Sequence, residues 1–567
     1  MLTLIIVGMV VPRIAHLDQT IVWRNGPHIG RAGREEHYLS TQTLTATVAR
    51  SREVPTPAAI LEETLNGGDG RPLIIVTATG GGLHASAWTA AVLANLEADF
   101  GSDFHNHLLL MSTVSGGSVG LLAYLRELHE GTLDRNLQLA SMRMQSAARC
   151  SSLESVGWGL VYYDLPKAFL PVIPYFIRPA RGDDDLDASP LWKDRTWSLR
   201  KGFARNLNNS YCDWLWAKDT SIDPHWNKDG PGNSPGAWGL SLRQLPPGKS
   251  ENGWLPAFTM NTTSAEDGQR FLLANYDVPN LAVDNQENYR AKSFLGTFGR
   301  VDRPDGRYFD LPLPTAAQMS ATFPYVSSAA RMPIDVDDFV GSMHFVDGGY
   351  YDNDGTASVI EFLRYALAPS TVQYAATNPS SKQQADLTQE RGRLKSIEEW
   401  IAKSQHPARV LLIEIRNSGD ISPTGPEKPG DRNGEKYPGN VLFQIGAPPT
   451  ALWQAGHESV TARNRTGLAL LEKALSGKLE LHRITFADDR TKDVTGTDPL
   501  NWSLTPAQRA EVTQSADPNA KLKPQYQEAK TWFYWSPEQW CGQGDGEALT
   551  IPCTAKALAL KTHAKKP

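Results

Sequence analysis

His107-Leu-Leu-Leu-Met-Ser-Thr-Val-Ser-Gly-Gly-Ser-Val-Gly-Leu-Leu-Ala-Tyr-Leu125 decides how this chain is read. Leu108 to Val114 is a nearly unbroken apolar run, the pattern of a strand buried on both faces of a parallel sheet. Gly116-Gly117-Ser118-Val119-Gly120 interrupts it. From Val119 the period turns helical, with Leu121, Leu122, Leu125 and Leu128 on one side and Arg126, Glu127 and Glu130 on the other. A serine thus stands between strand and helix with glycines on both sides, the setting of a G-x-S-x-G nucleophile elbow. Ser118 is the candidate nucleophile. Gly232-Asn-Ser234-Pro-Gly236 fits the same pattern, but it lies in a polar stretch with no strand before it and a proline where the helix would start.

A similar unit precedes the elbow. Arg71-Pro-Leu-Ile-Ile-Val-Thr-Ala78 is an apolar, β-branched run, followed by Thr79-Gly80-Gly81-Gly82-Leu83-His84-Ala85-Ser86 and a helical pattern through Trp88, Val92, Leu93 and Leu96. Three glycines before a helix expose backbone N–H groups in a concave turn backed by the helix dipole, a site for negative charge. The patterns G-x-x-x-x-G-K-[ST] and G-x-G-x-x-G are both absent, which disfavours a nucleotide phosphate. An oxyanion suits better, because two strand-loop-helix units of one parallel sheet bring both loops to its carboxyl edge. Gly80, Gly81 and Gly82 are the candidate oxyanion hole.

The chain has 567 residues, 40% apolar, with 16 tryptophans and a net charge of −6, enough for a packed core and without the basic balance of a nucleic-acid binder. Cys150, Cys212, Cys541 and Cys553 include no C-x-x-C and have no histidine at zinc-ligand spacing, so a metal site is not expected. Cys541 and Cys553 bracket a glycine-rich loop, as a disulfide or as two thiols.

Leu2 to Val11 is wholly apolar but short of a bilayer span. It reads as a buried helix, an interfacial anchor or the tail of a transmembrane helix. Residues 1–70 are an apolar segment followed by an arm or linker, and 71–515 hold the α/β domain. An aromatic-rich cap is inserted at 130–255, further insertions or helices lie at 370–440 and 440–478, and 516–567 form a C-terminal extension. In the cap, Phe169-Leu-Pro-Val-Ile-Pro-Tyr-Phe-Ile177 is apolar and broken by prolines. Strands are expected over 255–263, 269–275, 408–415 and 479–486. A short helix is expected at Ser320 to Ala330, a charged one near 387–403, a longer one over 449–475 and a helix start near 503. His344-Phe-Val-Asp347-Gly348-Gly349 ends a further strand on an aspartate, whose carboxylate projects where the glycines turn the backbone away.

In order, Gly80-Gly81-Gly82, Gly116-x-Ser118-x-Gly120 and Asp347-Gly348-Gly349 resemble the patatin-like phospholipase family. The resemblance implies a three-layer α/β/α fold with a mostly parallel sheet. It also implies a lipid acyl hydrolase in which Ser118 attacks an ester carbonyl, Asp347 deprotonates it and the glycine loop holds the oxyanion, with no catalytic histidine or cofactor. The partners it implies are a lipid ester and a membrane surface, with a membrane-associated location. Family members usually follow the glycine loop with a basic residue and then a glycine. Here His84 and Ala85 stand there, and His84 is either a substrate contact or a packing residue. Two rivals remain: a Ser/His/Asp hydrolase using His406, His457 or His482, and an inactive lipid-binding scaffold of the same fold.

Overall fold

Leu73–Ala78 and Leu108–Val114 are strands β1 and β2, buried along their whole length in the computed structural model of the chain. The structure describes residues 54–165, 195–208, 240–279 apart from 252, 281–282, 291–297, 310–322, 327, 329–336, 339–374, 381–404, 406–417, 459–488 and 504–534, and the short strands at 19–20, 22–23 and 38–39. The remaining strands of the main sheet are β3 (Ala257–Ser264), β4 (Arg270–Ala274), β5 (Ala330–Val336), β6 (Phe339–Asp347), β7 (Ala408–Arg416) and β8 (Leu479–Ala487), with two-residue strands at Gln19–Thr20 and Lys292–Ser293.

The hydrogen-bonded path runs β5-β6-β3-β2-β1-β7-β8, with β4 also on β3. From β3 through β8 every pairing is parallel, while β4, β5 and β6 join antiparallel. The sheet is mostly parallel, as expected.

Side chains alternate across it with the period of two that a pleated strand imposes. Ile74, Val76, Leu411 and Ile413 enter one core, with Trp88, Leu121 and Tyr124 from α2 (Gly82–Phe100) and α3 (Gly116–His129). Leu73, Ile75, Val410 and Leu412 enter the other, with Leu61 of α1 (Pro57–Gly67) and Phe362 of α8 (Thr356–Ala366). Helices therefore cover both faces, which is why the strands read as continuous apolar runs.

Between β2 and β3 lie α4 (Leu137–Arg149), α5 (Leu153–Gly159) and α6 (Arg195–Asn208). Part of the expected cap belongs to the first helical layer, because Met144, Leu199, Phe203 and Leu207 are buried in the core of α2 and α3. That layer also covers Arg126 and Glu127, on the charged side of α3. The two are ion-paired to each other, and Arg143 of α4 reaches Glu127 at 3.4 Å and Glu130 at 2.9 Å. Cys150, just past α4, is disulfide-bonded.

The helix expected at 320–330 lies earlier, as α7 (Leu313–Ser320), opened by Pro312 and Pro314, and Ala330 already begins β5. The charged helix is α9 (Ser381–Ser404), and the next is helical over 459–474. Thr505 caps α10 (Pro506–Ser515) through a capping box with Gln508. In α11 (Lys523–Tyr534), Tyr526, Trp532 and Phe533 enter the first core, so this part of the expected extension packs on the α/β unit. Leu2–Val11, Phe169–Ile177, Ser234 and His457 lie outside the described residues.

Candidate active site

The register of β3 assembles the site. β2 runs along one edge of β3 as far as Val114 opposite Asn261, and there the chain turns into α3. The next residue of β3, Thr262, pairs with Asp347, the last residue of β6. Thr262 also pairs with Phe271 of β4, which takes the other edge, so β6 must share its edge with β2. The two strands meet nearly end to end, one arriving from each direction. Each turns away at a residue with a polar side chain, Ser115 from β2 and Asp347 from β6.

Those two side chains are hydrogen-bonded. Ser115 Oγ donates to Asp347 Oδ2 at 2.6 Å, and Asp347 Oδ1 accepts the Gly349 N–H at 2.8 Å. Burial pushes the Asp347 carboxyl up to about 6, partly offset by the Ser115 and Gly349 hydrogen bonds. Ser115 has φ 51° and ψ −120°, and it is the one non-glycine residue with positive φ among those described. Such a conformation costs about 1–3 kcal/mol and tends to be stored where function needs it.

Ser118, the serine expected from the sequence, lies three residues further on, in the first turn of α3. It is fully buried and has no hydrogen bond to Asp347. Its Oγ lies 2.9 Å from Thr113 Oγ1 and 2.8 Å from Ser320 Oγ. Ser320 commits its own proton to the Asn261 carbonyl at 2.6 Å, so Ser118 must donate to Ser320. Ser320 Oγ also accepts the Ser115 N–H at 3.1 Å. This chain of hydroxyls braces the turn from beneath, and the residue that meets Asp347 is Ser115. In the frame Thr113-Val114-Ser115-Gly116-Gly117 a threonine replaces the first glycine of the elbow pattern.

The glycine loop closes on the same turn. A Cβ on Gly80 would lie 3.1 Å from Ser115 Cβ, and one on Gly116 would lie 1.9 Å from the Gly82 carbonyl oxygen. Gly80 is already engaged, since its N–H donates to the Asn353 carbonyl at 3.1 Å. The N–H groups of Gly81, Gly82 and Gly116 have no acceptor among the described residues, and the last two stand at the N-termini of α2 and α3. These amides, rather than all three of the loop, are free to receive a negative oxygen. His84 turns away into a buried pair with Asp488, Nε2 to Oδ2 2.9 Å, which ties α2 to the end of β8.

No described histidine bonds to Ser115. His406 is exposed just before β7 begins, at the opposite end of the sheet from Asp347, and His482 lies within β8, paired with Glu528 at 3.1 Å and stacked on Trp532. The acidic residues between Asp352 and Glu361 have a structural use. Asp352 caps α8 through the Ala357 N–H at 2.8 Å, and Glu361 pairs with Arg270 at 3.0 Å.

No family model matches the sequence, and no curated protein matches it. Among solved structures the chain is similar to the crystal structure of VipD from Legionella pneumophila. Identity is 11%, over 82% of this chain and 67% of that one, with a TM-score of 0.24, a similarity that carries no argument.

Proposed function

We propose that this protein is a serine hydrolase of lipid carboxylic esters, with Ser115 as nucleophile and Asp347 as its base. The observation that carries the reading is the 2.6 Å hydrogen bond between a serine on a strained strand-to-helix turn and a desolvated carboxylate. A carboxylate in water is too weak a base to deprotonate an alcohol at useful rates. Burial that lifts Asp347 to about 6 makes it a stronger base that is still ionised at neutral pH.

As Ser115 Oγ bonds to the ester carbon, its proton passes to Asp347. The carbonyl oxygen becomes an alkoxide held by the Gly81, Gly82 and Gly116 amides. Asp347 then returns the proton to the departing alcohol, leaving an acyl-serine. Water, deprotonated by the same carboxylate, cleaves that ester, and the proton goes back to Ser115. Asp347 therefore acts as base and acid in turn, and no histidine is needed.

The lipid part of the proposal draws on the resemblance of the three motifs and on a feature of the surface. Leu139, Met142, Leu153, Trp158, Val161 and Tyr162 are all exposed, on α4, α5 and the turn after it. Ser86 Oγ, at the start of α2, donates to the Ala148 carbonyl at 2.8 Å, which sets the end of α4 and the start of α5 at the glycine-loop end of the sheet. A membrane surface is the partner that suits an apolar rim beside such a site.

The test is labelling with a fluorophosphonate followed by peptide mapping. The label should fall on Ser115, and Ser115→Ala should abolish both labelling and ester hydrolysis, while Ser118→Ala should still be labelled. A label on Ser118, or a fully active Ser115→Ala protein, sinks the assignment. An unlabelled, inactive wild type would favour the scaffold.

A further inference from the structure

One polar side chain beside the glycine loop is not used by the reaction as described. Asn417 follows the last residue of β7, at the sheet edge where Thr79 leaves β1, and the Thr79 N–H donates to the Ile415 carbonyl at 3.0 Å. Thr79 Oγ1 fixes Asn417 from both sides, accepting its backbone N–H at 3.1 Å and donating to its Oδ1 at 3.1 Å. With its oxygen held by that proton, the side-chain amide must turn its nitrogen the other way, toward Gly81. A Cβ on Gly81 would stand 1.7 Å from Asn417 Nδ2 and 2.7 Å from Cγ, so Nδ2 occupies the volume that any other residue would need there. Gly81 has φ 144°, outside the range ordinary residues adopt. No acceptor among the described residues takes the two Nδ2 hydrogens.

We infer that Asn417 Nδ2 is a further donor to the carbonyl oxygen of the substrate, acting beside the Gly81 and Gly82 amides as that oxygen becomes an alkoxide. This rests on the proposed acyl transfer at Ser115. Asn417 Nδ2 sits at Gly81, next to Gly80, where the loop comes closest to Ser115, a Cβ on Gly80 lying 3.1 Å from Ser115 Cβ. Gly81 is required because the backbone has to yield its side-chain volume to the amide nitrogen. Thr79 is then a positioning residue: its hydroxyl selects which end of the Asn417 amide faces the site. A donor of this kind is used most where negative charge develops, so it should act on turnover more than on substrate binding.

The experiment measures kcat and KM on a soluble ester, and inhibition by a trifluoromethyl ketone of the same acyl chain, which forms an alkoxide on Ser115. Asn417→Ala should lower kcat by about 100-fold with KM nearly unchanged, and weaken the ketone in the same proportion. Asn417→Asp keeps the shape and replaces both donors with an acceptor, and it should fall at least as far. Thr79→Val should cost about 10-fold in kcat in the wild type and almost nothing in Asn417→Ala, because removing the donor leaves nothing to orient.

A loop-filling role predicts otherwise: lower melting temperatures, Asn417→Asp close to wild type, and ketone inhibition unchanged in any variant that folds. That pattern overturns the inference, as does a Thr79→Val effect of equal size in both backgrounds. Ser115→Ala, run alongside, separates the two proposals. If it still turns over ester, the reading of the site has failed, whereas a dead Ser115→Ala with fully active Asn417 variants removes Asn417 alone.

Discussion

The carboxyl of Asp347, lifted from 3.8 to about 6 by burial, ties the chemistry to pH. As the base it must be ionised, so kcat/KM on a soluble ester should fall on the acid side with an apparent pKa near 6. A limb near 4 would show the base to be a solvated carboxylate elsewhere. The same shift sets a stability term of known sign. The folded protein holds the proton more tightly than the unfolded chain. The penalty is therefore absent below about 4, grows as pH rises and is complete above about 6, where two units amount to about 3 kcal/mol. Asp347→Asn should accordingly be inactive yet up to about 3 kcal/mol more stable than wild type at pH 8, with the difference vanishing by pH 4 in denaturant melts. At this scale the glycine loop and Asp347 stand out in the sequence, whereas the serine that bonds to Asp347 does not. Gly116-x-Ser118-x-Gly120 completes the motif by letter, whereas the turn whose serine bonds to Asp347 has Thr113 in place of the first glycine. Only the backbone separates the two serines, since positive φ at Ser115 is a property of the turn. Asn417 gives even less signal, because its meaning comes from Thr79 and Gly81, more than 300 residues away in the chain.

Among the elements, the strands were the most legible part. The runs at 73–78, 108–114 and 408–416 lie almost where apolar continuity puts them, since burial along the whole strand leaves little room for polar residues, and the partly exposed edge strand at 479–487 also lies close to its expected bounds. What the sequence does not show is that β2 and β6 share one edge of β3, because each register arises between segments far apart in the chain, Val114 with Asn261 and Thr262 with Asp347. The helices depend on two kinds of close approach, and a pair of glycine substitutions separates them. A Cβ on Gly116 would strike the Gly82 carbonyl oxygen at 1.9 Å, and one on Gly120 would meet the Ser86 carbonyl oxygen and Thr89 Cβ, both at 2.8 Å. Either replacement by alanine overpacks the α2–α3 contact and should cost about 1–3 kcal/mol in thermal or denaturant unfolding. Gly116→Ala also drives the glycine loop away from Ser115, so it should lose fluorophosphonate labelling even where it remains folded. Gly120→Ala should keep it. Equal labelling of the two folded variants would separate the loop from the chemistry.

For the molecule as a whole, the proposed lipid hydrolysis requires that the buried Ser115–Asp347 pair be reached from a lipid surface. Among the described residues no helix is long and apolar enough to cross a membrane. Six of the nine exposed large apolar side chains among the described residues instead lie on α4, α5 and the turn after it, the others being Tyr350, Leu470 and Tyr534. There Met142 is 55% exposed, Val161 52% and Tyr162 59%, and the rings of Trp158 and Tyr162 lie 3.5 Å apart. With a net charge of −6 the protein has no general electrostatic attraction to an anionic bilayer, so the proposed lipid contact rests on apolar insertion. Each such side chain contributes about 1–2 kcal/mol when it leaves water, so removing three should weaken vesicle binding by at least about 100-fold. Met142→Asp, Trp158→Asp and Tyr162→Asp together should leave hydrolysis of a soluble short-chain ester and the melting temperature near wild type, because these side chains stand outside the core. The same triple variant should lose hydrolysis of phosphatidylcholine vesicles and cease to float with them on a density gradient. If both substrates suffer equally, or if the full chain never floats with vesicles, the apolar rim does not serve as the lipid-facing surface, and Ser115 and Asp347 belong to an esterase of soluble substrates.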